Sequence, residues 1–522
     1  MKRFFYLSIS LLLSLSIHAD EGMWILSNLS ESKLARMKEL GLNLSQEQLY
    51  DTIQPSLKDA VIHFAGGCTG VMVSKQGLLF TNHHCGYGAI QSQSSVENDY
   101  LRDGFVSQSF EEELPIPNMS VRFLQKTIDV TDQVLKGIDD SMGERERLVL
   151  IQKHRSELEN LFTDESRSIL ASVDAYFANN RFFLNIYEIF TDIRLVFAPP
   201  TSIGKFGADT DNWMWPRHTC DFSVFRVYAN SDNMPAEYDD NNRPYNPKFV
   251  AEVSTLGYQE NDYAMTMGFP GSTDRYLSSW GVQQRIKSSN EPRIEVRGIK
   301  QEIWKKEMQA DDAVRIKYAS KYASSSNYWK NSIGMNRGLA NLNVVEQKQS
   351  EEAAFEKWAN ADENKDIYGD VLKILENGYT STNENYKYLT YLSEAFSNGA
   401  EILRLARMFA QIDNNNLSTV EIEDILNERI RPFLKDYVPE MDQKVLAAML
   451  RLVKERVPQE YLSDIYSSID KKYKGDFERY SADLFANTAI LSESKMIELL
   501  KDKKKYDKYM KKDPAEIGRA HV

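Results

Sequence analysis

Two hydrophobic rhythms divide the chain. Between residues 60 and 275 the apolar positions fall in short runs rich in β-branched and aromatic residues: "AVIHF", "GVMVS", "GLLFTN", "MSVRFLQKTI", "FFLNIYEIF", "DIRLVFA", "FSVFRVYA" and "DYAMTMGF". Several alternate apolar with polar positions, and Gly, Pro and Asn-Asp clusters separate them. That pattern predicts half-buried strands, and many short strands with turn punctuation point to barrels or a sandwich. One stretch breaks the rhythm: "GERERLVLIQKHRSELENLF", residues 143–162, predicts a helical insertion. After "GFPGSTDRY" the texture changes. Residues 285–515 carry apolar positions at helical spacing among many Lys, Glu and Ala. In "LSTVEIEDILNERI", Ser418 is followed three residues later by Glu421, a capping-box signature for a helix start. A second, all-helical domain is expected there, and no repeat of 20–50 residues is apparent.

The two ends are read apart from the fold. "MKRFFYLSISLLLSLSIHA" places Lys2 and Arg3 before an apolar run from Phe4 to Ile17 and a small residue at Ala19. This predicts a secretory signal peptide over 1–19, with Asp20 as the first mature residue and a periplasmic or secreted destination. The run is short of the roughly 20 apolar residues a membrane span needs, and no later segment approaches that length. No cysteine follows the cleavage site, so no lipid anchor is expected. At the other end "EIGRAHV", residues 516–522, reads as a translated sequencing adapter, which suggests that the gene was cut short there.

Charge and cysteine content narrow the function classes. The formal net charge is −13, and loss of Lys2 and Arg3 with the leader makes it more acidic. Nucleic acid is therefore not the expected partner. The lysine run "KDKKKYDKYMKKD", residues 501–513, reads as a solvated helix face. "DNNNLSTVEIED" from Asp413 resembles a calcium loop, but Leu417 holds a ligand position and Ser418 replaces the required glycine. Three cysteines in so long a chain are no disulfide scaffold.

The chemistry concentrates in "GGCTGVMVSKQGLLFTNHHCGYGAIQ", residues 66–91. Two apolar runs flank a "KQG" turn, and the second ends in His83, His84 and Cys85. Zinc would need three or four ligands at helical or knuckle spacing, and adjacent strand residues point to opposite faces, so no metal site is expected. Nucleophilic hydrolysis is the other reading. A Cys68–Cys85 disulfide would pin the histidine-bearing loop against the first strand. It would close a loop of about 17 residues, worth on the order of 3 kcal/mol in the chain-entropy description. The arrangement resembles chymotrypsin-like peptidases, where the base is the histidine just before the cysteine; here that is His84, which leaves His83 a structural role.

A catalytic histidine needs a carboxylate on its other ring nitrogen. "GKFGADTDNWMWPRHTCDFSVFRVYA", residues 204–229, offers three: Asp209 and Asp211 in a turn, and Asp221 at the entry to a strong strand. Residue chemistry favours Asp221 and leaves the other two open.

Longer motifs then add a resemblance. "GGCTG…TNHHCGYGAIQ", "APPTSIGKFGADTDNWMWPRHTCDFSVFRVYA", "GFPGSTDRYLSSWGV", "PRIEVRGIKQEIWKKEM" and "SNYWKNSIGMNRGLA" together resemble the bacterial dipeptidyl-peptidase 7 / dipeptidyl-peptidase 11 family of serine exopeptidases. "NYWKNSIGMNRG" and "LRDGFVSQSFEEELPIP" look more like the dipeptidyl-peptidase 7 branch. The resemblance implies a β plus α fold: a chymotrypsin-like double β-barrel, its second barrel largely missing here, with an inserted all-helical domain. Residues 20–275 would be the first part of the peptidase domain and 276–515 the helical cap. The resemblance makes His84 the general base and Asp221 its orienting aspartate. It has Asn212, Trp213 and Asn327 frame the substrate's free α-amino group, while Trp215 reads as packing. An amide oxygen can accept from an ammonium, and an aromatic face attracts one.

Two positions depart from the family. Cys220 stands where the family has glycine. The nucleophile of the family lies in a C-terminal "GNSGSP"-type segment that this sequence lacks. Ser272, in "GFPGST", follows His84 and Asp221 in chain order but lacks the neighbours that shape an oxyanion hole. The expectation is therefore a serine dipeptidyl-peptidase whose serine is lost by truncation, so that this chain is inactive. Its partners would be oligopeptides with a free N-terminus, it would be homodimeric at full length, and no cofactor is implied. The alternative is a non-catalytic peptide-binding protein of the same fold.

Overall fold

The structure, a computed structural model, describes residues 23–139, 141–272, 274, 276–414, 417–511 and 515. The signal peptide expected at 1–19 and the tail at 516–522 lie outside the described residues. Two compact units are formed: one from residues up to Thr81 with Pro117–Arg194 and Phe225–Pro270, the other from Asn82–Ile116, Leu195–Val224 and Gly271 onward.

The first unit is built on an antiparallel sheet. Its strands lie in the order Ser223–Ala229, Leu78–Thr81, Cys68–Met72, Val61–Phe64, Val121–Asp129, Arg181–Phe190 and Ile169–Tyr176. The alternation in the sequence sets the faces. Ile62 and Phe64 point inward from Val61–Phe64, as Val121 and Phe123 do from Val121–Asp129. Val61–Phe64 and Cys68–Met72 pair in register, Ile62 opposite Gly70 and Phe64 opposite Cys68. The insertion forms as expected, a helix over Glu144–Phe162. It lays Ile151 against Val130, Val134, Ala171, Val173, Phe182 and Leu184.

One expected strand does not form. "DYAMTMGF" has the composition of a strand, but residues 262–269 pair with none. Strand propensity acts through cross-strand partners and burial. Here Tyr263 leaves for a cluster with Met37, Leu42 and Leu49, and the Phe269 amide donates to Thr69 Oγ1 at 2.8 Å.

The second unit is mainly helical and carries the longest helix, Asp312–Asn341. Asp311 caps that helix, accepting from the amides of Ala313 at 2.7 Å and Val314 at 3.4 Å. The Glu401–Ala410 and Pro439–Arg456 helices centre the core. Ile402, Leu405 and Phe409 from the first meet Val445, Met449 and Val453 from the second, each set recurring at three- or four-residue spacing. Ser418 and Glu421 close the expected capping box. The lysine run becomes the Lys503–Met510 helix, with Tyr506 turned into the core.

Segments 82–116 and 195–224, which the sequence groups with the strands, belong to this helical unit. Specific polar contacts hold the first of them there. Gln91 donates to the Lys317 carbonyl at 3.2 Å and accepts from the Ser320 amide at 2.8 Å, and Arg315 pairs with the buried Asp99.

Candidate active site

The His-His-Cys segment does not continue the strand. The strand ends at Thr81, and a helix runs over His83–Ser92 with Asn82 as its N-cap. The two imidazoles therefore diverge by about 100° around a helix axis instead of facing opposite sides of a ribbon. His83 turns inward. It is 1% exposed, and its ring meets Tyr87 edge-on at 5.5 Å between centroids. Room for it comes from Gly204, where a methyl group would stand 2.6–2.8 Å from three ring atoms. Burial pushes its pKa down to about 4, against the opposing charge of Asp221, so His83 is neutral at pH 7.

His84 faces outward, its side chain 59% exposed, and its Nδ1 lies 2.6 Å from Asp221 Oδ2. The backbone amide of His84 donates to the other oxygen, Asp221 Oδ1, at 2.9 Å. That amide is one of the orphan donors at a helix start, where a carboxylate is also favoured by the helix dipole. One aspartate thus caps the helix and orients the ring it carries. Burial raises the Asp221 pKa, but the bonds from the His84 ring and amide outweigh it. With the Arg217 guanidinium 3.9 Å away, they hold the carboxyl below its ordinary range. With Nδ1 bonded to a carboxylate, Nε2 is the nitrogen left for a proton transfer.

Of the three acids in the 204–229 segment, only Asp221 reaches His84. Asp209 pairs with Lys205 at 2.9 Å. Asp211 accepts from the His218 amide at 3.0 Å and lies 2.8 Å from His218 Nδ1. That pair staples the loop between them.

The same loop delivers the other predicted residues. Asn212 Nδ2 and Trp213 Nε1 both donate to Asn327 Oδ1, at 3.1 and 2.9 Å. Asn327 stands on the exposed side of the Asp312–Asn341 helix. Two turns further on, Gly334 lets the loop approach: a methyl group there would come within 2.8 Å of the Trp213 carbonyl oxygen. Trp213 holds a left-handed backbone, φ +58°. Such a conformation costs a non-glycine residue on the order of 1–3 kcal/mol and persists only where surrounding contacts fix it. The indole bond to Asn327 is one such contact. Trp215 is 93% exposed and so is not the packing residue the sequence suggested.

Cys68 and Cys85 are joined in a disulfide, and Cys220 is free and exposed. Ser272 is exposed, and among the described residues no serine hydroxyl is hydrogen-bonded to His84. No sequence pattern pointed to the Gly204–His83 fit, the Asp211–His218 staple or the approach at Gly334. Each glycine stands in a recognisable motif, but only the neighbouring chain shows why.

An imidazole bonded through Nδ1 to a carboxylate and open at Nε2 is the base half of a serine-type peptidase. The chain belongs to the Peptidase S46 family, whose model matches residues 19–517. It is 52% identical over 503 residues to a dipeptidyl-peptidase 7 of Porphyromonas gingivalis, covering 95% of this chain and 70% of that protein. To a dipeptidyl-peptidase 7 of Porphyromonas endodontalis it is 51% identical over 502 residues, 95% of this chain and 60% of that one. Its backbone is similar to the crystal structure of Porphyromonas endodontalis DPP11 in complex with the dipeptide Arg-Glu. There the TM-score is 0.81 and the identity 34%, over 96% of this chain and 73% of that chain.

Proposed function

We propose that this chain supplies the general base, its orienting carboxylate and the amino-terminal clamp of a serine-type dipeptidyl-peptidase. The observation that carries the reading is the 2.6 Å contact between His84 Nδ1 and Asp221 Oδ2, made while the ring stays exposed. His84 Nε2 takes the proton of a serine hydroxyl as that oxygen attacks the second peptide carbonyl of the substrate. The imidazolium, stabilised by Asp221, then protonates the leaving amine, and water hydrolyses the acyl-enzyme by the same route. The attacking serine is not one that the described residues present to His84.

Asn212, Trp213 and Asn327 select the substrate. Asn327 Oδ1 already accepts two bonds within the protein. Asn212 Oδ1 and the half-exposed Trp213 ring are thus the groups left to meet an ammonium. A clamp at a fixed distance from the reacting carbonyl requires a free N-terminus and releases a dipeptide. The fold proposed for the whole protein is a chymotrypsin-like double β-barrel with an inserted helical domain. We place the mature protein in the periplasm, as a homodimer acting on oligopeptides.

The test compares hydrolysis of dipeptidyl chromogenic substrates by the 522-residue chain and by a protein as long as its relatives. Activity is expected in the longer protein alone. Asp221→Asn should lower its kcat by about 10⁴, as expected when the orienting carboxylate is lost. Asn327→Ala should raise KM for free-amine substrates. A short chain that hydrolyses substrate through Ser272 would overturn the placement of the nucleophile. A long protein that binds peptides without cutting them would favour a binding role.

A further inference from the structure

The bond between His84 and Asp221 joins residues 137 positions apart. Something must fix the start of the His83–Ser92 helix against the segment that carries the aspartate. Two reciprocal side-chain bonds do so, one on each side of the triad pair. Asn82 Nδ2 donates to the backbone carbonyl of Asp221 at 3.1 Å and, more distantly, approaches Oδ2 at 3.4 Å. In return Ser223 Oγ donates to the backbone carbonyl of Asn82 at 3.1 Å. Ser223 is fully buried. Its hydroxyl therefore has no water to turn to, and the bond to Asn82 is its satisfaction.

The conduct of Asn82 as an N-cap is informative. Asparagine at that position ordinarily turns its side chain back onto the amides of its own helix. Asn82 makes no such bond. Its carbonyl still takes the Cys85 and Gly86 amides at 3.1 Å each. The capping task has passed to Asp221 Oδ1, which takes the His84 amide, and the asparagine side chain is released to hold the aspartate's own backbone.

We infer that Asn82 and Ser223 are positioning residues that set the register between the His84 helix and Asp221. Neither touches substrate. They act through the aspartate, by keeping Oδ2 on His84 Nδ1 while Oδ1 stays on the His84 amide. Without the cross-stitch the 221–223 backbone can slide along the helix start. The Nδ1–Oδ2 contact then lengthens, and the imidazolium loses the carboxylate beside it. This inference rests on the reading of His84 as the base, but its test needs no turnover.

The test is made on the 522-residue chain labelled with ¹⁵N-histidine, in which the exchange of the His84 Nδ1 proton with water is measured by NMR. The variants are Asn82→Ala, Ser223→Ala, the double variant, and Ser223→Thr, which keeps the hydroxyl. Each alanine variant should speed Nδ1-proton exchange at least about tenfold, the equivalent of 1.4 kcal/mol. The double variant should cost less than the sum of the two, because both bonds hold one interface. Ser223→Thr should retain the wild-type exchange rate. An exchange rate that stays unchanged in both alanine variants, whatever happens to their thermal stability, would reduce the pair to a structural role and overturn the inference.

Discussion

Burial of His83 beside the base makes acid stability a direct readout of the site's construction. Folding takes its pKa from 6.5 to about 4, chiefly through burial. The folded state therefore holds His83 neutral, while the unfolded chain binds a proton below pH 6.5. The contribution is fully present above pH 6.5 and is lost as pH falls toward 4. The fall from 6.5 to about 4 is worth on the order of 3 kcal/mol, of which about 2 kcal/mol disappears between pH 7 and pH 4.5. The charged form has nowhere to place its second proton, because Nε2 is buried without a hydrogen-bond partner. The assay is urea unfolding of the wild type and His83→Phe at pH 7 and pH 4.5, followed by circular dichroism. Phenylalanine keeps the ring volume and the edge-on contact with Tyr87 but cannot titrate. The variant starts less stable and should lose about 2 kcal/mol less over that range, since every other titrating group is common to both proteins. Parallel losses would refute the reasoning and would mean that His83 is solvated or paired when charged.

Gly204→Ala forces a methyl group to within 2.6–2.8 Å of a ring that cannot move outward. It should cost about 1–3 kcal/mol, as overpacking does elsewhere, and unchanged urea midpoints would contradict the fit described for His83. Thiol labelling of the unreduced, unfolded protein should modify Cys220 and spare Cys68 and Cys85 until a reductant is added. Labelling of all three at once would rule out the disulfide.

Local information in the sequence determined most of the elements. The period-two runs became strands where a neighbour was available, as at Val61–Phe64 and Cys68–Met72. Helical spacing after residue 285 became helices, and Ser418 with Glu421 announced a helix start that the structure closes as a capping box. These features depend on a few consecutive residues, so they can be read without knowing what lies across from them. The candidate residues were legible for a different reason: long motifs carried a resemblance. Residue chemistry alone left Asp209, Asp211 and Asp221 in competition, since a carboxylate's task depends on which partner reaches it. Only the fold gave Lys205 to the first, His218 to the second and His84 to the third.

Tertiary structure decided the rest because its causes lie far apart along the chain. "DYAMTMGF" has strand composition but finds no ladder, and the His-His-Cys segment turns helical where its strand ends. Asn212 and Trp213 meet Asn327 across separations of 115 and 114 residues. Neither periodicity nor spacing encodes that meeting; it requires Gly334 to bring the loop against the helix. Hydrogen bonds of a few ångströms are fixed by where whole segments pack, and packing depends on contacts between residues that no local pattern in the sequence relates.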